Sequence, residues 1–305
     1  MILVTGVSGG LGGLVYDGLK ALGDVEVAGG TRGGDGTTTR RVDFDEPATL
    51  AEGFKGVDVL VVISAGYAED DVVLARHGAV ADAAATAGIR HVMYTSLAGS
   101  GDGLTIALPH RWTEQRLARG PFALTVLRNG LYPEVPAGLA ATGAAGAAET
   151  GVFSASLGTG RISVVAKQDL ADAAVRVAAE TERALAAGVP GPHAGRTYEL
   201  EGVTAFGGAE IAAVLAETVG RPVSYQDLPL GETRAALTAS GALQPYQVGH
   251  AVSLFSHAKA GFLEAPADAS DLPSLLAPAL PRPVRDQIAA ATRAGYQGQE
   301  ISTVR

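Results

Sequence analysis

No cysteine occurs among the 305 residues, which excludes a disulfide framework, a thiolate metal site and a cysteine nucleophile. Redox chemistry in this chain would need a cofactor. Basic residues are scarce as well: 23 Lys and Arg stand against 32 Asp and Glu, for a net charge of −9. Nucleic acids and anionic membrane surfaces need a concentrated basic face, so neither is expected as a partner. No apolar run approaches membrane-spanning length. The first strand-like segment begins at Met1, which leaves no room for a signal or transit peptide, so the expected location is cytoplasmic. HExxH and paired-histidine spacings are missing, and the histidines at 77, 91, 193, 250 and 257 are scattered, so no metal is expected. A GxSxG elbow following a strand is also absent.

What is present is a chain of 47% hydrophobic and only 18% charged residues with 41 glycines, a composition suited to close helix-on-sheet packing. Strand-like runs at Ile2–Thr5, Val25–Ala28, Val57–Ile63, His91–Thr95 and Phe122–Leu127 alternate with helical periods at 10–21, 69–87 and 109–119. Gly120-Pro121 ends the last of these helices. The alternation implies an α/β fold, a Rossmann-like doubly wound parallel sheet. We expect an NAD(P)-binding domain over 1–130 and a smaller C-terminal α/β substrate lobe over 131–305 that completes the sheet, with discontinuous exchange of elements. The Ala- and Gly-rich stretch at 137–149 reads as a flexible loop or irregular helix, and small apolar residues around 137–160 suggest a roomy pocket. Further strands are expected at Ile162–Ala166, Thr197–Leu200 and Pro222–Gln226, with helices near 169–187, 207–219, 231–240 and 245–260.

Thr5-Gly-Val-Ser-Gly-Gly-Leu-Gly12 directly follows the first strand and opens the first helix. Gly6 permits the tight turn, Gly9 lets backbone approach a pyrophosphate, and Gly12 lets the helix pack close to the strand. The helix N-terminus then offers N–H groups and positive dipole to phosphates. Gly6, Val7, Ser8, Gly9, Gly10, Leu11 and Gly12 are therefore candidate cofactor-binding residues; the blander alternative is a packing turn in a glycine-rich protein. An NAD-selective site usually ends its second strand in an acid that bonds the ribose 2′-hydroxyl. Here that strand runs into Arg32, whose guanidinium suits a 2′-phosphate. NADP(H) is thus preferred over NAD(H). A solvated surface arginine is the alternative, and Arg40 or Arg41 could share the role. Asp43 and Phe44, read as ending the third strand, would flank the adenine unless Asp43 is an ordinary turn residue. Ser64, Ala65 and Gly66, together with Thr95 and Ser96, sit at carboxyl ends of strands, where open α/β sheets bind ligands.

The GxxGxxG spacing resembles that of extended and atypical short-chain dehydrogenases. More specific landmarks are His91-Val-Met-Tyr-Thr-Ser-Leu97, His110-xxx-Glu114 and Thr125-Val-Leu-Arg-Asn-Gly-Leu-Tyr132-Pro-Glu134. They continue in Ile162-Ser-Val-Val-Ala-Lys-Gln-Asp-Leu-Ala171, Tyr198-Glu-Leu-Glu-Gly202, Gly220-Arg-Pro-Val-Ser-Tyr225 and Ser270-Asp-Leu-Pro-Ser-Leu-Leu276. In this order they resemble the NmrA-like family of atypical short-chain dehydrogenases/reductases, and within it the type 2 NAD(P)H:quinone oxidoreductases, over nearly the whole chain. The resemblance implies an NADPH-dependent quinone reductase or, as in other branches, a redox sensor that binds the dinucleotide without turning it over.

Carbonyl-reducing short-chain dehydrogenases usually carry Tyr-xxx-Lys on the helix after the fifth strand. This chain has His110-Arg-Trp-Thr-Glu114 there. Hydride delivery to an electron-poor quinone gives a stabilised hydroquinone anion and needs little protonation help, so the missing pair is compatible with quinone reduction. His110 is the candidate to contact substrate or donate a proton, as the one side chain there expected to titrate near neutrality; a capping or packing histidine is the alternative. Glu114 would orient His110 or be an exposed helix residue. Tyr132 would line the nicotinamide pocket with Asn129 and Gly130, or be an ordinary buried aromatic. Trp112 reads as packing. The expected substrate is a quinone or similarly activated carbonyl. A secondary-metabolite or sugar-nucleotide enzyme on the same scaffold is a weaker reading, since such reactions generally use the tyrosine this chain lacks. A homodimer is compatible with the sequence.

Overall fold

The computed structural model describes residues 1–65, 68–266 and 268–303. The first half of the chain runs β1 (Ile2–Thr5), α1 (Gly10–Leu22), β2 (Val27–Thr31), β3 (Thr39–Arg41), α2 (Ala48–Gly53), β4 (Val59–Val62), α3 (Asp70–Ala87), β5 (His91–Leu97), α4 (Ala107–Leu117) and β6 (Ala123–Asn129). The second half continues with α5 (Glu134–Thr150), β7 (Val152–Ala155), β8 (Arg161–Val164), α6 (Lys167–Ala186), β9 (Thr197–Leu200), β10 (Thr204–Gly207) and α7 (Gly208–Val219). β11 (Ser224–Asp227), α8 (Leu230–Ala239), α9 (Pro245–Lys259), α10 (Leu272–Leu276) and α11 (Arg285–Thr303) complete it.

Seven strands form one sheet in the order β3-β2-β1-β4-β5-β6-β9, every pairing parallel. Order reverses between β1 and β4, so the chain winds first to one side and then to the other. Such a switch point opens a crevice at the carboxyl ends of the strands. Alternation along each strand divides the core between two faces. Ile2, Val4, Val59, Val61, Met93 and Leu127 pack on one face with residues of α1, α6 and α10. Leu3, Leu60, Val62, Val92 and Tyr94 pack on the other against α2, α3 and α4. Both faces are covered, which is why these strands read as continuous apolar runs.

The doubly wound reading holds, with local corrections. The second strand occupies Val27–Thr31 rather than Val25–Ala28, and the third ends at Arg41, so Asp43 and Phe44 lie beyond it. The stretch read as a loop or irregular helix is the regular helix α5. Its buried Ala137, Ala140, Ala144 and Ala147 recur at helical spacing, and small side chains let α7 and α11 pack closely. These alanines close a core rather than open a pocket. β9 is the strand by which the second half enters the main sheet. Sequence patterning passed over α2, α10, α11, β7 and β10, all short or dependent on tertiary partners. No helix among the described residues is long and apolar enough to cross a membrane.

Candidate functional site

The turn after β1 is built as its glycines require. Gly6 has φ +65°, a conformation that costs a side chain energy. A Cβ on Gly12 would fall 2.3 Å from the Gly6 carbonyl oxygen, so no larger residue fits while the turn keeps this shape. Gly9 N–H donates to the Gly6 carbonyl at 2.9 Å. Gly6, Ser8, Gly9 and Gly10 are exposed at the start of α1, with no acidic side chain in its first turn.

Beside this turn lies a cavity of about 500 Å³ lined by Gly6, Ser8, Gly9, Thr31, Arg32, Val42, Asp43, Phe44, Asp45, Ile63, Ser64, Ala65 and Arg76. A second, of about 330 Å³, is lined by Thr95, Ser96, Asn129, Gly130, Tyr132 and His110 together with Val73, Leu97, Ile106, Leu131, Val135 and others. Ser64 lines both. The structure therefore gathers the sequence-derived candidates into two adjoining groups, one around the glycine turn and Arg32, the other around His110. Val7, Gly10, Leu11 and Gly12 line neither cavity; they shape the turn, Val7 closing on Gly29 of β2. Gly66 lies outside the described residues. Arg40 and Arg41 do not share the Arg32 position: Arg40 donates to the Gly53 and Lys55 carbonyls, and Arg41 pairs with Glu46. Trp112 lines neither cavity.

Three successive N–H groups past the end of β4 are each caught by a side chain from another element. Ile63 N–H donates to Thr5 Oγ1 at 3.0 Å, Ser64 N–H to Thr95 Oγ1 at 2.9 Å, and Ala65 N–H to His77 Nε2 at 3.0 Å. Since His77 Nε2 accepts, the neutral ring carries its proton on Nδ1 and donates to Thr113 Oγ1 at 2.7 Å; that hydroxyl donates in turn to the Pro109 carbonyl. Burial holds His77 down to about 3, so this arrangement persists at neutral pH. His77 thus ties the cavity-lining loop to the turn of α4 that carries His110, and no motif in the sequence marked it. Replacing His77 with leucine strands the Ala65 N–H and should lower stability by about 2–3 kcal/mol. An unchanged urea midpoint for the variant at pH 7.5 would contradict this.

His110 faces the smaller cavity, its Nδ1 2.9 Å from the buried Tyr94 hydroxyl. The expectation that it titrates near neutrality is corrected. Burial, reinforced by the Arg111 guanidinium, pushes it down to about 4. Burial likewise raises the Tyr94 phenol. The neutral imidazole can exchange hydrogen bonds but not act as an imidazolium acid; the tautomer in which Tyr94 donates to Nδ1 puts the ring proton on Nε2. Glu114 neither orients His110 nor lies exposed. It accepts hydrogen bonds from Ser96 Oγ and Arg111 and a two-pronged pair from Arg128, which also reaches Glu199. Burial works to raise the Glu114 carboxyl, but the Arg128 and Ser96 hydrogen bonds and both arginine charges outweigh it. Burial also raises the Tyr132 phenol, opposed by a hydrogen bond with Asn129.

Two features fit a dinucleotide. The exposed glycines form a cradle that side chains would fill, and Asn129 Oδ1 is buried with no hydrogen-bond partner among the described residues, an acceptor suited to an amide or hydroxyl donor. The sequence reading missed Arg76 and Asp45, which line the larger cavity joined by two hydrogen bonds of 2.7 and 2.8 Å. They come from α3 and from the segment after β3, and nothing in their spacing betrays the contact. Among the described residues no cluster of His, Asp and Glu could hold a metal ion.

No family model matches the chain. Quinone oxidoreductase 2 of Escherichia coli K12 is 34% identical over 79% of this chain and 82% of its own. Its crystal structure complexed with NADPH superposes with a TM-score of 0.78, covering 95% of this chain and 99% of that one at 29% identity. Triphenylmethane reductase of Citrobacter sp., crystallised with NADP(H), gives a TM-score of 0.78 at 25% identity, over 95% and 99% of the two chains. With the glycine turn, the switch-point crevice and these likenesses in place, the chain belongs to the family of quinone oxidoreductase 2.

Proposed function

We propose that this protein is an NADPH-dependent oxidoreductase that passes hydride to a quinone or similarly activated carbonyl acceptor. The observation that carries this reading is the pair of cavities joined at Ser64. A dinucleotide held by Gly6, Ser8 and Gly9, with its 2′-phosphate at Arg32, would extend past Ser64 into the cavity of His110, Asn129 and Tyr132. Both crystallised relatives were solved with the NADP cofactor. When bound, NADPH supplies the hydride.

The chain's own groups orient the acceptor and donate hydrogen bonds. Val73, Ile106, Leu131 and Val135 give the acceptor an apolar bed, while the neutral His110 offers Nε2–H to the oxygen that gains negative charge. A hydroquinone monoanion formed this way is a weak base that can take its proton from solvent, which fits a site whose histidine and tyrosines do not ionise near neutrality. We keep 1–130 as the dinucleotide half and 131–305 as the substrate half. We place the protein in the cytoplasm as a small-molecule enzyme, with a homodimer as its assembly and no nucleic-acid partner, the last supported by the net charge of −9.

The test is NADPH oxidation with benzoquinones and naphthoquinones, run beside NADH and corrected for the uncatalysed reaction. Turnover preferring NADPH is the expected result. Bound NADPH with no turnover across the panel would replace this reading by that of a dinucleotide sensor. His110→Phe should lower kcat about tenfold by removing one preorganised donor. The wild-type kcat should stay level between pH 5.5 and 8, whereas an inflection near 6.5 would show that His110 acts as an ordinary titrating acid.

A further inference from the structure

Lys167 opens α6, away from the glycine motif and from Arg32 in sequence. A Cβ placed on Gly10 would meet the Lys167 side chain, and one on Gly18 would meet Val175. α1 and α6 therefore run side by side in the same direction and present their N-termini at one edge of the molecule. The Lys167 ammonium would lie 3.5 Å from that Gly10 Cβ, and it sits 5.0 Å above the Tyr132 ring. One cation thus borders both the turn that frames the larger cavity and the tyrosine that lines the smaller. Its partner is Glu134 at 2.5 Å, in the first turn of α5. The Glu134 end of that pair is solvated, Glu134 being 58% exposed against 27% for Lys167, and a pair open to water at one end is readily exchanged.

We propose that Lys167 is the counter-charge for the pyrophosphate of the bound dinucleotide, and that Glu134 occupies it as a stand-in anion which the pyrophosphate displaces. A diphosphate carries more charge than one carboxylate and meets the free N–H groups at the start of α1 in the same place. Lys167 would swing from Glu134 toward the turn, past Gly10, where no side chain stands in its way. The two cations of the site then divide the cofactor: Arg32 reads the 2′-phosphate, which only NADPH has, and Lys167 reads the pyrophosphate common to NADPH and NADH. This rests on the dinucleotide reading but not on the identity of the acceptor.

Titration calorimetry of the full chain with NADPH, NADH and adenosine 2′-monophosphate tests it, with thermal melts confirming that each variant is folded. Lys167→Met should raise the Kd of NADPH and NADH by the same factor, about tenfold, and leave adenosine 2′-monophosphate, which has no pyrophosphate, unchanged. Lys167→Arg should bind both dinucleotides nearly as the wild type does. Glu134→Gln should tighten both about threefold by removing the competitor. Unaltered dinucleotide binding by Lys167→Met, a loss confined to NADPH, or an equal loss for adenosine 2′-monophosphate would overturn the assignment. Weaker binding by Glu134→Gln would overturn the displacement. A wild-type chain that binds neither dinucleotide would instead defeat the cofactor reading itself.

Discussion

Arg32→Glu should raise the Kd for NADPH about a hundredfold and leave that for NADH within about threefold of the wild type. Arg32 follows directly on β2 and lines the cavity with Asp43, Phe44 and Arg76. It forms no salt bridge among the described residues, so its guanidinium is available to a phosphate. Arg76, the other arginine of this cavity, is already engaged by Asp45 through Nε and NH2. That pairing also holds the Asp45 carboxyl below its usual range, with Arg32 contributing at longer reach. Loss of a two-pronged, charge-assisted contact, with a carboxylate repelling the phosphate in its place, is an effect of about 3 kcal/mol. NADH offers a hydroxyl at this position and has no such contact to lose. Fluorescence titration with both dinucleotides decides the matter: equal losses would mean that Arg32 does not read the 2′-phosphate. The pattern is the opposite of that for Lys167→Met, which makes the two cations separable in one set of titrations.

A steep loss of stability is expected between pH 6.5 and 5, with a plateau above pH 7. Burial brings His77 down to about 3 and His91 and His110 to about 4, whereas the same imidazoles in the unfolded chain titrate near about 6.5. Below that value the unfolded chain binds protons that the folded chain refuses, so acid favours unfolding. Above it neither state binds them, and pH has no leverage. Three such groups give a slope of up to about 4 kcal/mol per pH unit within the window. The ion-paired Glu114, held low in the fold, acts in the same direction at lower pH. Burial is the first cause in each case, with His193 adding at His91 and the Arg111 guanidinium at His110; His77 Nε2 in addition accepts the Ala65 N–H. Thermal melts from pH 8 to 5 provide the check, and a Tm that stays level down to pH 5 would show these imidazoles to be solvated.

How much of this was legible beforehand depended on the range over which each feature is encoded. Ile2–Thr5, its glycine turn and the following helix were readable because strand alternation, the positive φ of Gly6 and the close approach at Gly12 are local demands that only certain residues meet. The position of Arg32 on the larger cavity was readable for the same reason, by its place after the second strand. α5 was misread because alanine and glycine carry no amphipathic contrast; only α7 and α11, packed on its small side chains, show it to be a helix of the core.

The sequence by itself determined the winding of the sheet, the edge at which the two cavities open and the place of Arg32 on the larger of them, since periodicity and turn chemistry act within a few residues. Tertiary structure alone decided the state and partners of the chemical groups. His110 is neutral because the fold buries it beside Arg111 and Tyr94, and Glu114 is bound to Arg128 rather than to His110. His77 joins a loop to a helix 36 residues away, and Lys167 comes to rest beside Gly10 because two helices distant in the chain run parallel. Ionisation and hydrogen bonding are fixed by dielectric surroundings and by neighbours across space, and a linear pattern contains neither.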